Sequence, residues 1–224
     1  ISGRSFAQGD AWTFDVSCDD ADAPMPAEKS YTLHPTAGVN TQSFSFGHIN
    51  YTEKDVDKTY TYKVAETGDV AGVANDSAVH TMTVSVSDNG NGSLKIDRTF
   101  SDGNEMLFKN AYSAKGSIVL AGTKNIEGRS FKSGDEMTFT LTGKDGAPLP
   151  ADGSNSVTIK PDSGTSASFS FPEIDFTQED ARKTYTYTVH ESTKNMGNVQ
   201  NDDDKTVTVS VADNGDGTLK VTPT

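Results

Sequence analysis

The residues GRSF at Gly3–Phe6 return unchanged at Gly128–Phe131, 125 residues further on. The same offset carries FSF from Phe44–Phe46 to Phe169–Phe171 and TYTY from Thr59–Tyr62 to Thr184–Tyr187. It also carries DNGNG at Asp88–Gly92 to DNGDG at Asp213–Gly217. APMP at Ala23 aligns with APLP at Ala147, 124 residues away, so small indels fall between the fixed points. A chain of 224 residues that repeats itself at a domain-sized period reads as two copies of one module. The expected boundaries are 1–113 and 114–224, with a short joint at Asn110 to Gly116 and room for only a limited hinge.

Within each copy the hydrophobic period is two. In KTVTVSV, Val207, Val209 and Val211 share one face while Thr206, Thr208 and Ser210 share the other, the pattern of a half-buried strand. TMTVSV at Thr81–Val86 reads alike, and Thr138–Thr142, Ser156–Lys160, Ser168–Phe171 and Thr184–Val189 add strands at sandwich-like spacing. No helix of three turns is visible. Thr52–Asp55 and Thr177–Asp180 each carry a Thr-x-x-Asp pattern that can start a single turn. The fold class expected is all-β, two tandem antiparallel β-sandwiches.

Strand parity also places polar side chains on apolar rows. Tyr60, Tyr62, Val64 and Glu66 share a face, as do Tyr185, Tyr187, Val189 and Glu191. Asn110 falls in line with Met106, Phe108 and Tyr112, and Lys124 with Ile118, Leu120 and Ile126. Two readings are open. Each strand could fray at its end and hand the polar group to water, the usual fate of Lys and Glu. Alternatively the groups are buried together, where desolvation favours a neutral, nucleophilic amine and a neutral carboxylic acid. Such an amine can attack an asparagine carboxamide polarised by the acid, forming an amide and releasing ammonia once only.

GTKNIEGRSF, DEMTFTLT, YTYTVHE, VSVADNGDGTL and the FKN at Phe108–Asn110 together resemble the isopeptide-linked sandwich domains of Gram-positive pilins and surface adhesins, of the streptococcal pilin-repeat type. The resemblance covers essentially the whole chain as two copies. It implies Ig-like (CnaB-like) sandwiches in which a first-strand lysine is bonded to a last-strand asparagine beside a glutamate. By that likeness Lys124 is the amine, Asn110 an acceptor, and Glu66 and Glu191 the promoting acids. The lysine of copy one would fall just before Ile1 and the asparagine of copy two beyond Thr224, so the limits read as cuts through a longer array. Lys115 could substitute near the joint but has the opposite parity from Lys124.

The resemblance implies a structural stalk repeat that is extracellular and anchored to the cell wall, with neighbouring repeats as partners. The alternative is an adhesive module that binds a host protein or glycan through loops. The segments that differ most between copies are Asp19 to Ser30 against Lys144 to Ser156, and Thr67 to Ala78 against Ser192 to Lys205. No cofactor is implied, and no enzyme beyond single-turnover self-cross-linking. A formal charge of -13 disfavours nucleic acid and anionic membrane surfaces. No apolar run of about 18 residues exists, and residues 1 to 20 lack a signal-peptide pattern.

The single Cys18 precludes an internal disulfide, and it is expected to be a surface or half-buried thiol. His34, His48, His80 and His190 show no metal-ligating spacing. The DNGNG and DNGDG stretches place Ser87 and Ala212 where a calcium loop needs its first acid, so they read as hairpin turns, and no metal site is expected. Trp12, aligned with Met137, reads as core.

Overall fold

Alternating Thr and Ser with Val, Tyr and Phe gives a strand one face to bury and one face of hydroxyls to hydrate or pair. The computed structural model, which describes residues 1–103, 105–194 and 196–224, forms such strands throughout. It divides into two units, Ile1–Tyr112 and Ser113–Thr224.

Unit 1 contains β1 (Trp12–Cys18), β2 (Ser30–Leu33), β3 (Thr59–Thr67), β4 (Val73–Ala74), β5 (His80–Asp88), β6 (Leu94–Phe100) and β7 (Ala111–Tyr112). Five of these form an antiparallel sheet in the order β2-β1-β3-β5-β6, while β4 pairs with β7. Unit 2 contains β8 (Lys115–Ile118), β9 (Ala121–Asn125), β10 (Glu136–Gly143), β11 (Ser156–Ile159), β12 (Ser166–Ser170), β13 (Ile174–Thr177), β14 (Thr184–Lys194), β15 (Lys205–Asp213) and β16 (Leu219–Pro223). Its main sheet repeats the first as β11-β10-β14-β15-β16, and the β12-β9 and β13-β8 ladders supply the second layer. The layers meet through Phe139 of β10 and Phe169 of β12, whose rings stack at 3.8 Å. This is an all-β pair of tandem sandwiches.

The cores follow the alternation. Tyr60, Tyr62, Val64, Val84 and Val86 are buried in unit 1, and Met137, Leu141, Ile174, Phe176, Tyr187 and Val209 in unit 2. On the outer faces hydroxyls pair across strands, Thr13 with Thr32 at 3.0 Å and Thr138 with Thr158 at 2.8 Å.

The repeated motifs become repeated polar locks. Arg4 donates to Asp10 through both terminal nitrogens at 2.8 and 2.9 Å, and Arg129 grips Asp135 likewise at 2.7 and 3.1 Å. The Arg129 guanidinium holds the Asp135 carboxyl below its ordinary value. The Thr-x-x-Asp patterns each form one 3-10 turn, Glu53–Asp55 and Gln178–Asp180. The Thr52 amide donates to Asp55 at 2.7 Å, and the Tyr60 hydroxyl donates to the other oxygen of that carboxylate at 2.7 Å. Tyr62 and Tyr187 donate to the carbonyls of Pro24 and Pro148 at 2.7 and 2.8 Å, which fastens the APMP and APLP loops to the sheet.

The units differ where the sequences agree. Ser168–Phe171 falls largely in β12, yet its counterpart Ser43–Phe46 lies outside any strand. β12 is paired with β9, and no described segment of unit 1 occupies the place of β9. The side-chain packing persists without the ladder, since Phe44 stacks on Phe14 at 4.0 Å.

Leu141 is fully buried, so Leu141→Ala is expected to lower the stability of unit 2 by about 2–5 kcal/mol in urea denaturation. Tyr187→Phe, which removes one hydrogen bond but keeps the ring, is expected to cost about 1 kcal/mol. Equal costs would contradict this division between packing and hydrogen bonding.

Candidate functional site

In β9 alternate residues face inward, so Gly122 and Lys124 point to the interior while Thr123 and Asn125 are exposed. A side chain at Gly122 would collide with the Phe169 ring, since its Cβ would lie 2.6 Å from the ring's far carbon. The glycine thus lets the aromatic stack approach the strand, and Lys124 extends beside it. On the main sheet, Glu191 of β14 is the cross-strand partner of Phe139.

These elements bring Lys124 Nζ to 2.8 Å from Glu191 Oε2, with 11% and 7% of the two side chains exposed. The Asp202 amide also donates to Oε2, at 3.4 Å. Glu191 Oε1 is buried and has no hydrogen-bond partner. The pair lies in an open groove of about 1470 Å³, lined also by Phe139, Phe169, Val189 and Met196.

Unit 1 buries the counterpart glutamate beside an asparagine. Glu66 of β3 is the cross-strand partner of Phe14, and Phe108 packs on Phe14 with ring centres 4.8 Å apart. Asn110 follows two residues later on the same face, and Glu66 and Asn110 are each 9% exposed. Asn110 Oδ1 accepts the Asp76 amide at 2.8 Å. Burial pushes the Glu66 carboxyl up to about 6, with the Asp76 charge reinforcing the rise and the Asn110 side chain, the Asp76 amide and His80 opposing it. Neither Glu66 oxygen completes a hydrogen bond of good geometry.

The structure thus pairs Lys124 with Glu191 in unit 2 and sets Asn110 beside Glu66 in unit 1. Lys115 is exposed on β8. Trp12 is 2% exposed and packs with Phe6, while its Nε1 donates to Asn75 at 2.9 Å. Cys18 is half-buried. The DNG segments are hairpin turns in which Asp88 and Asp213 accept the amides of Gly90 and Gly215, each at 2.8 Å. Among the described residues no group of three or more His, Cys, Asp or Glu is arranged to hold a metal ion. No helix among them is long and apolar enough to cross a membrane.

Sequence reasoning passed over His80 and Asp76. His80 has the same inward parity in β5 as Val84 and Val86, and it is buried. Its Nδ1 meets Asp102, its Nε2 lies 3.3 Å from Asp76 Oδ2, and its ring packs on Phe108 at 4.3 Å. Parity alone could have found the histidine, whereas Asp76 sits in an irregular loop with no periodic signal.

The FctA family model, described as a Spy0128-like isopeptide containing domain, matches residues 1–113 and again residues 120–224. No curated protein matches the chain. Among solved structures the chain is similar to the major pilin from Streptococcus pyogenes, with 15% identity and a TM-score of 0.39, covering 100% of this chain and 93% of that one. Two mutants of the same pilin are similar at TM-scores of 0.38 and 0.39, with the same identity and coverage. Because the family model spans both repeats and nearly every residue between the ends, the chain belongs to the family of Spy0128-like isopeptide containing domains.

Proposed function

We propose that the chain is a pair of structural repeats from the stalk of a Gram-positive pilin or surface adhesin, each module being of a kind stapled by a lysine-asparagine amide. The observation that carries this reading is the 2.8 Å contact between Lys124 Nζ and Glu191 Oε2, both nearly buried in a groove that the Phe139 and Phe169 rings also line. One proton transfer across that contact yields a neutral amine and a neutral acid, the pair that amide exchange needs. The amine nitrogen attacks Cγ of an asparagine side chain, while Glu191 donates a hydrogen bond to the carboxamide. The new C–N bond forms, the C–NH2 bond breaks, and ammonia leaves with the transferred proton. In unit 1 Glu66 has the same role toward Asn110, and its raised pKa favours the acid form that the step uses. The finished cross-link closes a loop of roughly 100 residues and so constrains the unfolded state. The module's partners are then neighbouring repeats, and its place is the cell surface.

The groove of unit 2 offers a direct test. Phe139, Phe169 and Glu191 repeat Phe14, Phe44 and Glu66, which in unit 1 surround Phe108 and Asn110. The peptide EMLFKNAY, copied from Glu105–Tyr112, is expected to join the chain covalently, with an intact mass equal to the sum less one ammonia. Lys124→Arg abolishes the adduct, and Glu191→Ala slows it by about 100-fold or more. Absence of any covalent product at high peptide concentration overturns the reading.

Glu66 also makes unit 1 sensitive to pH. Its folded value of about 6 lies above the ordinary 4.5, so between those values the folded unit holds a proton that the unfolded chain releases. Stability therefore rises as pH falls from 7 through 6 and levels off below about 4.5. Denaturation of the wild type and of Glu66→Gln across this range is expected to show the rise in the wild type alone.

A further inference from the structure

We infer that Asp76 is the residue that holds and polarises the asparagine carboxamide, its backbone amide acting on the carbonyl and its side chain fixing the segment that carries it. This rests on the amide-forming reading above and adds a group to its electrophilic side. Asp76 makes two separate connections to the Asn110 segment. Its N–H donates to Asn110 Oδ1 at 2.8 Å, and its Oδ2 accepts the amide of Lys109, the preceding residue, also at 2.8 Å. The first bond draws electron density from the carbon that an amine would attack and lies where negative charge would gather on the oxygen during attack. The second fixes the position of the Lys109–Asn110 segment, so that the carboxamide lies beside Glu66 rather than at a neighbouring position.

The aspartate is itself held in place. Its Oδ1 accepts the Ala78 amide at 2.9 Å, and His80 Nε2 lies 3.3 Å from Oδ2. His80 is in turn braced by Asp102 and by the Phe108 ring. Burial pushes the Asp76 carboxyl up, but the amides of Ala78 and Lys109, with His80, outweigh it and hold the group below its ordinary value.

The second repeat carries the same device with a different brace. Asn201-Asp202 repeats Asn75-Asp76, and the preceding turns match, with Val73 donating to the Val70 carbonyl and Val199 to that of Met196. The Asp202 amide again points into the site, here toward Glu191 Oε2 at 3.4 Å. Its carboxylate is held by Lys205 at 2.9 Å, and Lys205 replaces His80 at the head of β15. Two repeats that differ in the surrounding loop thus keep an aspartate whose N–H faces the reacting groups.

The test combines a direct view of Asn110 with a reaction rate. In carbon-detected NMR of the full chain, Asp76→Ala is expected to move the Asn110 Cγ resonance toward that of a solvent-exposed asparagine and to speed exchange of the Lys109 amide. Asp76→Asn, which keeps an acceptor oxygen, restores both. In parallel, the lysine strand is offered to unit 1 as a peptide copied from Lys115–Ile126, and the adduct at Asn110 is followed by mass. Asp76→Ala is expected to slow that adduct by about 10- to 100-fold, and Asp76→Asn to recover most of the rate.

An unchanged Asn110 Cγ in a folded Asp76→Ala chain overturns the inference. Failure of the wild type to form any adduct at Asn110 instead counts against the amide-forming reading, and the NMR comparison still decides whether Asp76 holds Asn110. Should Asp76→Ala unfold unit 1, Asn110→Ala supplies the reciprocal test. The Asp76 amide must then exchange faster while the Lys109 amide stays protected, and equal protection of both in that variant overturns the inference.

Discussion

A carboxylate placed opposite a phenylalanine and cut off from water is the constraint around which each module is arranged. Glu66 faces Phe14 across β1 and β3, and Glu191 faces Phe139 across β10 and β14. A sheet built only for stability would place a hydrophobic residue there, because an unpaired buried carboxylate is costly. The surrounding structure answers that cost in kind, with a lysine at Glu191 and with an asparagine, a histidine and a backbone amide around Glu66. The aromatic stacks of Phe14 with Phe44 and Phe139 with Phe169 give the site a rigid apolar floor.

The frame that holds the site is polar at its corners and apolar only in its centre. Arg4–Asp10 and Arg129–Asp135 fix the entry to β1 and β10, and the Asp55–Tyr60 and Asp180–Tyr185 contacts fix the turns before β3 and β14. The strands that carry Glu66 and Glu191 are therefore pinned at their starts, while the locked entries to β1 and β10 lie beside the far ends from which those glutamates project.

Much of this was legible from period and repetition. Parity placed Tyr60, Tyr62 and Glu66 on one face, and Asn110 with Phe108, because a strand leaves each side chain only two directions. The locks at Arg4 and Arg129 were visible only as repeated letters, since nothing local says that an arginine will reach an acid six residues on. Asp76 was invisible for a deeper reason. Its contribution to the site is made through its backbone N–H and its grip on Lys109, and neither depends on a pattern that a one-dimensional reading can detect. His80 lay between these cases, its inward direction available from the parity of β5 but not read from it, and its partners, Asp76 and Asp102, brought near only by the folded loops.

Within each unit the first and last segments run in the same direction where they meet: Ser2 bridges Ala111 in parallel, and Lys115 bridges Thr218 in parallel. Tension applied at the two ends of such a module slides these segments past one another. Hydrogen bonds in that geometry are loaded together and must fail together, whereas an antiparallel meeting would let them open in sequence like a zip. The connectivity of the sandwich thus gives the module a directional mechanical strength before any covalent bond is made, and a cross-link between the first and last strands would lie along that same line of load.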